Sequence, residues 1–301
     1  MEYLRESNME LTGDIDIKKL KNAMNNCEIL SAKALLYEKN MGLHFNLGGY
    51  MAIMPVSEVM YTPDNSKIKE AAVVTRINKK VCFVVDHIEN TTDAPVVYLS
   101  RKTVQQRFFK EYLSHLMPGD IIPCCVTHVD SFGVFCDIGY GVTALMPIDF
   151  ISVSRINSPA DRFIQGQNIY ACIKSIDEKG RIVLTHKELL GTWLENAKLF
   201  SPLTTTTGIV RSIEDYGIFI ELMPNLAGLA ESCEGVQVGD VVNVYIKSIL
   251  PEKMKVKLVI MSKASSGTTT NDIKYFITRG HIDYWKYSTD SGVKNIYTDF
   301  R

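Results

Sequence analysis

Two phenylalanines, Phe132 and Phe135, flank a glycine in the stretch DSFGVFCDIG, residues 130–139. Because successive side chains of a strand point to opposite faces, the alternation after the glycine assigns every second residue to the core. The apolar residues on that core side are Val134, Cys136 and Ile138. Phe135 is then expected on the solvent side together with Asp137. An exposed aromatic ring stacks on the flat face of an unpaired base, which contributes about 1 to 3 kcal/mol per base.

The glycine and its alternating strand occur three times in the chain. The three copies align without gaps and are EKNMGLHFNL (38–47), VDSFGVFCDI (129–138) and IEDYGIFIEL (213–222). Tyr216 and Phe219 occupy the two aromatic positions in the third copy, whereas Met41 and His44 occupy them in the first. Aromatic stacking is therefore expected in the second and third copies. The alternative is that the rings cap a small barrel or touch a neighbouring domain, since single exposed aromatics are common.

Each copy is followed by further strand-like segments in the same order, which predicts about five short strands per copy. Such strands favour a small closed barrel, because closure removes the exposed edges of an open sheet. Between copies, apolar residues recur with the helical period, as in TVQQRFFKEYLSHL (103–116), and a leading helix is predicted near 14–26. The predicted fold class is all-β with helical linkers, containing three tandem five-stranded barrels.

The repeats and their linkers predict seven segments along the chain. They are an N-terminal helical segment (1–26), a degenerate first barrel (27–103), a linker helix (104–116), the second barrel (117–187), a linker helix (188–202), a shortened third barrel (203–263) and an aromatic-rich C-terminal extension (264–301). The extension opens with ASSGTTTND (264–272), which is expected to form a loop. The large aromatics after it are expected to pack back onto the third barrel.

The second copy resembles the S1 RNA-binding domain, which is an oligonucleotide-binding (OB) barrel. The resemblance depends on DSFGVFCDIG, ALMPID and QGQNIYACIKSIDEKGRIVLTHK, in this order and spacing. The helix-barrel tandem without a catalytic domain resembles bacterial ribosomal protein S1 and its shorter relatives. The RNA-contacting positions that the resemblance implies are Phe132, Phe135, Pro147, Asp177 and Arg181, the third of which is often histidine in the family. Asp177 and Arg181 have the alternative interpretation of an ordinary turn pair.

In the third copy, the resemblance implies RNA contacts at Tyr216 and Phe219, while the acidic residue that the second copy has in its last turn is missing. Lys253, Lys255 and Lys257 recur at period two. This spacing predicts one strand face that follows a nucleic-acid backbone. The alternative is a solvated strand edge that uses lysine against aggregation.

Composition limits the classes of function. The chain has 33 basic and 34 acidic residues and a net charge of −1, whereas proteins that bind duplex nucleic acid through phosphates usually have a basic excess. Nucleic-acid binding is therefore expected to depend on stacking and local charge. The seven cysteines form no CxxC pair, so reduced thiols and no metal site are expected. Without a catalytic motif or a phosphate-binding glycine loop, neither an enzyme nor a cofactor is expected.

Single-stranded RNA is the expected partner, most specifically mRNA during translation with the small ribosomal subunit. Residues 27–103 keep the core pattern without the stacking groups, so they are expected to dock to a protein, with the small subunit as the implied partner. Since no apolar run of about 18 residues and no signal-like N-terminal segment occur, a cytoplasmic protein without a membrane partner is expected. A ribosome-independent RNA-binding regulator or stress protein and a protein-interaction scaffold remain as alternatives, and no oligomeric state is predicted.

Overall fold

The computed structural model describes residues 4–301 except 14, 65, 93, 265–272 and 291–294. The chain divides into two compact units. The first comprises Met1–Leu116, Cys136–Ala144 and Ile176–Arg181, and the second comprises Met117–Phe135, Leu145–Ser175 and Ile182–Arg301. Apart from Ala264, the loop predicted at 264–272 lies outside the described residues.

The first repeat forms a six-stranded sheet. Its elements are α1 (Ile17–Asn25), β1 (Leu30–Lys33), β2 (Leu36–Glu38), β3 (Gly42–Leu47), β4 (Tyr50–Met54), α2 (Glu70–Val74), β5 (Lys80–Asn90), β6 (Pro95–Ser100) and α3 (Arg101–Glu111). The strand order is β1-β5-β6-β4-β3-β2. The outer strands β1 and β2 are consecutive, and the pairing changes side between them: Ala34 N–H donates to Lys79 O, and Leu35 N–H donates to His44 O. They therefore act as two halves of one interrupted strand.

The second and third repeats form closed five-stranded barrels. The elements of the second barrel and of the linker after it are β7 (Ile121–Asp130), β8 (Gly133–Asp137), β9 (Thr143–Pro147), β10 (Asn168–Ile176), β11 (Ile182–Thr185) and α4 (Trp193–Ala197). The strands of the third barrel are β12 (Thr205–Glu214), β13 (Gly217–Met223), β14 (Leu226–Ala230), β15 (Val241–Leu250) and β16 (Lys255–Lys263).

The three repeats share one cyclic strand order. It is β10-β11-β9-β8-β7 in the second barrel and β12-β13-β14-β16-β15 in the third, which is the same circuit traced in the opposite direction. When β1 and β2 count as one strand, the first repeat has this order too. The predicted fold class of tandem OB barrels with helical linkers is therefore confirmed.

The linkers differ in length from their predicted ranges. The helix predicted at 104–116 is α3, and it begins earlier because the Ser100 hydroxyl accepts the Thr103 N–H at 3.0 Å and caps the helix. In the segment 188–202 the structure has the short helix α4, preceded by the 3-10 turn Lys187–Leu190. Both linkers thus contain helix, but the second contains little of it.

The repeated glycine marks a close approach of two backbones. A Cβ atom at this position would lie less than 3.0 Å from a carbonyl oxygen of the next strand in every repeat. The glycine and carbonyl pairs are Gly42–Met54, Gly133–Met146 and Gly217–Ala230. Gly42 and Gly217 also have positive φ angles of 117° and 144°, which other residues rarely adopt. Glycine is thus required by the barrel itself, and the three pairs establish which residues are equivalent between repeats.

A buried ion cluster fixes the N-terminal segment in the first unit. The fully buried Arg101 donates from Nε to Oε1 of Glu6 at 2.6 Å and from Nη2 to Oε2 at 2.9 Å. Arg76 Nη1 lies 3.8 Å from the same Oε2. The Cys82 N–H also donates to Glu6 at 3.1 Å. The Glu6 carboxylate therefore contacts two guanidinium groups that are mostly shielded from water.

Asp137 lies in this cluster and not on the solvent side, so that part of the sequence prediction is wrong. Its residue is 3% exposed, and its carboxylate accepts the N–H groups of Glu6 and Gly139 at 2.9 Å and of Gly141 at 3.0 Å. These backbone donors replace the water that a surface aspartate would bind. Desolvation, followed by the charge of Glu6, raises the pKa of Asp137 to about 6.

The C-terminal extension packs on the third barrel in the second unit, as its aromatic content predicts. It forms a two-stranded ribbon of β17 (Tyr284–Lys286) and β18 (Tyr297–Asp299). Trp285 and Tyr287 belong to the same apolar cluster as Val210 and Val244 of the third barrel. The Thr298 hydroxyl donates to Glu188 Oε1 at 2.7 Å. Apolar burial and a buried hydrogen bond therefore both hold the ribbon.

A second buried ion cluster joins the second and third repeats within this unit. Glu221 of β13 accepts hydrogen bonds from Arg162 Nη2 and from Arg211 Nε. Arg211 Nη1 also lies 3.4 Å from Asp161. Arg162 and Glu221 are 6% and 4% exposed, so their charges depend on each other.

Of the seven cysteines, five are buried, whereas Cys27 and Cys233 are exposed. Among the described residues, no group of three or more histidine, cysteine, aspartate or glutamate side chains is arranged to hold a metal ion. Over that same part of the chain, every helix is too short or too polar to cross a membrane.

Candidate nucleic-acid interface

Phe132 and Phe135 lie together at the start of β8. Phe132 is 50% exposed and Phe135 is half-buried. Their ring centroids are 5.9 Å apart with an interplanar angle of 87°. His128 of β7 stacks beside Phe135, with centroids 6.2 Å apart and planes at 25°. The second barrel therefore presents an exposed ring supported by a second ring.

The backbone of this aromatic pair is fixed by hydrogen bonds. Phe132 O accepts the N–H of Ile148 at 2.9 Å, and Phe135 O accepts the Thr127 hydroxyl at 3.0 Å. The backbone is thus anchored while the Phe132 ring remains open to solvent. A ring that is ordered before a ligand arrives loses little entropy on binding.

The third barrel repeats this arrangement with Tyr216 and Phe219. Tyr216 is 70% exposed, and the two ring centroids are 6.1 Å apart at 87°. The rings border a groove of about 500 Å³. Its other main lining residues are Leu229, Glu231, Lys247, Met254, Lys255, Lys257 and Val259. The groove thus combines aromatic, aliphatic and cationic side chains.

Two of the three predicted lysines of the third barrel share this groove. Lys255 and Lys257 are exposed on alternate positions of β16 and line the groove with Lys247. Lys253 lies in the 3-10 turn before the strand, and Met254 separates it from β16 in a left-handed conformation with φ 48°. The prediction of one strand face for all three is therefore wrong at Lys253, because the turn breaks the alternation.

Asp177 and Arg181 form the turn between β10 and β11. Asp177 Oδ1 accepts the N–H groups of Lys179 and Arg181 at 3.0 and 2.8 Å, and Asp177 Oδ2 accepts Arg181 Nε at 2.6 Å. These hydrogen bonds, with that from the Arg181 backbone the largest cause, lower the pKa of Asp177. The Arg181 side chain is 75% exposed. These contacts are those of an ordinary turn pair, and most of the Arg181 side chain remains exposed to solvent.

The second and third barrels differ at the end of the third strand. The glycine contacts make Met146 equivalent to Ala230, so Pro147 corresponds to Glu231. Pro147 is apolar and half-buried, whereas Glu231 is exposed and lines the groove. A carboxylate repels phosphate but accepts hydrogen bonds from base amino groups and ribose hydroxyls. The two barrels therefore present different chemistry beside the same aromatic pair.

The corresponding face of the first repeat is apolar and acidic. Across β2, β3 and β4, the register pairs Leu36 with His44 and Met51 with Asn46, which places these side chains on one face. Leu36 and Met51 are 50% and 48% exposed. The His44 imidazole is 3.5 Å from Glu38. No aromatic pair flanks the glycine in this repeat.

A different ring pair occupies this first repeat. His87 and Tyr98 stack with centroids 4.4 Å apart and planes at 10°. Tyr98 pairs with Ile53 as Lys257 pairs with Leu229, so the tyrosine stands where the third barrel has a lysine. His87 Nδ1 also lies 2.8 Å from Asp86 Oδ2, at hydrogen-bonding distance. The sequence does not predict this pair from the residues beside the glycine. The alternation of side chains along β5 and β6 is the signal that could have indicated it.

The groove of the third barrel also contains residues that sequence reasoning missed. Leu229, Met254 and Val259 read as ordinary core or turn residues in the sequence, yet Leu229 and Val259 are 36% and 41% exposed. His128 was missed as well, because its position beside Phe135 depends on pairing between β7 and β8.

Known proteins resemble parts of this chain in sequence. Residues 115–187 match the family model of the S1 RNA binding domain. The small ribosomal subunit protein bS1 of Leuconostoc lactis is 29% identical over 236 residues, which are 72% of this chain and 52% of that protein. The bS1 of Staphylococcus aureus (strain COL) is 33% identical over 181 residues, 54% of this chain and 46% of that protein. The chain spans about half the length of these relatives.

A solved structure from Streptococcus pneumoniae, described as a multidomain protein with nucleic acid binding domains, is 12% identical. The match covers 80% of this chain and 76% of that chain, with a TM-score of 0.26, which is too low to support an inference. The family resemblance rests instead on sequence. Residues 115–187 thus match the S1 RNA binding domain, and the chain is similar in sequence to small ribosomal subunit protein bS1, which confirms the resemblance seen in its motifs.

Proposed function

We propose that the protein binds single-stranded RNA through its second and third barrels and acts on mRNA in translation. The main support is an aromatic pair that recurs with the same geometry: Phe132 with Phe135, and Tyr216 with Phe219. In both pairs one ring is at least half exposed and is supported edge-on by the other. The S1 match and the similarity to bS1 support this proposal.

Stacking explains how a chain without basic excess binds RNA. The face of an exposed ring accepts any unpaired base, and Lys247, Lys255 and Lys257 in the third-barrel groove supply local positive charge for phosphates. Arg181 adds an exposed cation in the second repeat. A duplex hides its base faces, so this chemistry selects single strands.

Replacing Phe132 or Tyr216 by alanine is expected to weaken RNA binding. Each substitution removes one stacking ring, worth about 1 to 3 kcal/mol, so the affinity should fall roughly 5- to 150-fold. The measurement is fluorescence anisotropy of a labelled oligouridylate of about 12 nucleotides. Because both rings are exposed, the variants should unfold at the same denaturant concentration as the wild type.

Ile164→Ala is the matched control, since Ile164 is a 65% exposed apolar residue outside the aromatic pairs. It should bind RNA like the wild type. Equal affinity of Phe132→Ala, Tyr216→Ala and the wild type would refute aromatic recognition. A failure of the wild type to bind any oligonucleotide would instead favour the protein-interaction scaffold.

Within the same proposal, residues 27–103 dock to a protein of the small ribosomal subunit. Support comes from Leu36 and Met51, two exposed apolar side chains on the same sheet face, and from the exposed Glu38 of β2. Apolar contact suits a protein surface, whereas a carboxylate disfavours RNA phosphates. The first repeat thus attaches the protein while the other two bind mRNA.

The double variant Leu36→Ser/Met51→Ser is expected to lose cosedimentation with small subunits depleted of bS1. Burial of two such side chains contributes a few kcal/mol, so the affinity should fall roughly 10-fold or more. Its oligonucleotide affinity should stay unchanged. Undiminished cosedimentation would contradict docking through this face. If the wild type itself does not cosediment, the ribosome-independent RNA-binding regulator is the better description.

A further inference from the structure

The β17–β18 ribbon of the C-terminal extension has one buried and one exposed face. Its register pairs Tyr284 with Asp299, Trp285 with Thr298 and Lys286 with Tyr297. Trp285 and Thr298 are 6% and 5% exposed, whereas Tyr284 and Tyr297 are 45% and 52% exposed. Strand alternation therefore places both tyrosines on the outer face.

The buried face holds the ribbon rigidly in the second unit. Trp285 packs in the apolar cluster of the third barrel, and Thr298 donates to the buried Glu188 at 2.7 Å. Phe300 N–H donates to Asp283 O at 3.0 Å, which ties the last residues across the ribbon. The outer tyrosines thus belong to a ribbon whose other face is packed and hydrogen-bonded.

The outer tyrosines form an aromatic pair of their own. Their ring centroids are 5.9 Å apart with planes at 29°. The guanidinium of Arg301 lies 5.5 Å from the Tyr284 centroid and is oriented by Asp299, which accepts Arg301 Nε and Nη2 at 3.0 and 2.9 Å. The face of Tyr284 therefore already receives a flat, conjugated group.

Local charges indicate what this face binds. Arg301 is paired with Asp299, and Lys286 Nζ is 2.5 Å from Asp290. The nearby cations are thus balanced by carboxylates, so the face offers ring surface without a strong attraction for phosphate. The centroid spacing of 5.9 Å also matches the 5.9 and 6.1 Å of the two barrel pairs in the same unit.

We propose that Tyr284 and Tyr297 form a third base-stacking site, which binds unpaired bases of the single-stranded RNA held by the barrels. This inference rests on the proposed function and adds a site outside the S1 repeats. Stacking supplies the affinity, since every base has a π-face, and Arg301, whose charge is paired with Asp299, adds a planar guanidinium over Tyr284. Lengthening the bound strand would then add affinity by an intramolecular step.

The test compares the wild type with Tyr284→Ala/Tyr297→Ala and Tyr284→Phe/Tyr297→Phe. Anisotropy with an oligouridylate of about 30 nucleotides should show a roughly 5- to 150-fold loss for the alanine variant. The phenylalanine variant keeps both rings and should bind like the wild type. Because the site contributes little charge, the fold-loss should be the same at low and high salt, unlike the loss expected for Lys257→Ala.

A second readout does not depend on affinity. RNA containing 4-thiouridine, irradiated with the wild-type protein, should crosslink to peptides that contain Tyr284 or Tyr297. Emission of the buried Trp285 shows whether the alanine variant keeps its ribbon packed.

Unchanged affinity of the alanine variant together with no crosslink in the ribbon would overturn the site. If Phe132→Ala and Tyr216→Ala still lose affinity in that case, the proposed function stands without it. A loss that the phenylalanine variant shares would also overturn base stacking, because both rings remain there.

Discussion

Glu221→Gln is expected to destabilise the second unit by about 3 to 5 kcal/mol. The substitution leaves the guanidinium groups of Arg162 and Arg211 without their shared carboxylate, and breaking a buried ion pair on one side costs this much. Arg162 is only 6% exposed, and this burial lowers the pKa of its guanidinium. Urea unfolding followed by tryptophan emission measures the effect directly. Both tryptophans, Trp193 and Trp285, lie buried in this unit.

Asp240→Asn provides the matched control for Glu221→Gln. Asp240 also belongs to the third barrel and pairs with Lys263 at 2.7 Å, but the lysine side chain is 50% exposed. Exposed pairs contribute about 0 to 1 kcal/mol, so the control should unfold close to the wild type. If both variants lose the same stability, the buried cluster has no special role in joining the second and third repeats.

Glu6→Gln is expected to destabilise the first unit by about 3 to 5 kcal/mol. Arg101 is 0% exposed and would lose the carboxylate that accepts hydrogen bonds from its Nε and Nη2, while Arg76 would lose its partner 3.8 Å away. The first unit contains no tryptophan, so amide hydrogen exchange of β5 and α3 is the suitable measurement. Exchange should accelerate there, because local opening becomes easier.

Glu38→Gln is the control in the first unit, since the Glu38 side chain is 56% exposed beside His44. It should leave exchange in β5 and α3 unchanged. Protection in Glu6→Gln that equals the wild type would show that the N-terminal segment contributes nothing to this unit. Faster exchange in Glu38→Gln would point to a general loss of stability instead.

Local patterns predicted the barrels well. Alternation after each glycine predicts the core side of β3, β8 and β13, and the repeated order of segments predicts the shared topology, because both depend on neighbours in the sequence. Phe132 and Tyr216 are exposed for the same local reason. The glycine and the alternation after it, which together place a stacking ring, can therefore be recognised within about ten residues.

Asp137 and Lys253 show where local patterns fail. The carboxylate of Asp137 accepts an N–H from Glu6, 131 residues earlier in the chain, and no spacing near residue 137 signals that partner. Lys253 fits a period of two only if the strand continues through Met254, whose left-handed backbone ends it. The periodicity of a sequence does not reveal a distant hydrogen-bond partner or a single left-handed residue.

The ribbon of the C-terminal extension was unpredictable for a related reason. Each of its strands has three residues, which is too short for an alternation to be distinguished from chance. Aromatic content predicted that the segment would pack. It did not indicate that two of the tyrosines would face outward.

The close contact at Gly42, Gly133 and Gly217 constrains the fold of each repeat but not the ligand that the repeat binds. The constraint on each glycine comes from a carbonyl of the adjoining strand, and no ligand takes part in it. The exposed residue before each glycine is Met41, Phe132 or Tyr216, and its side chain takes no part in this contact. One barrel fold can therefore present different groups at this position, with a methionine in the first repeat and aromatic rings in the second and third.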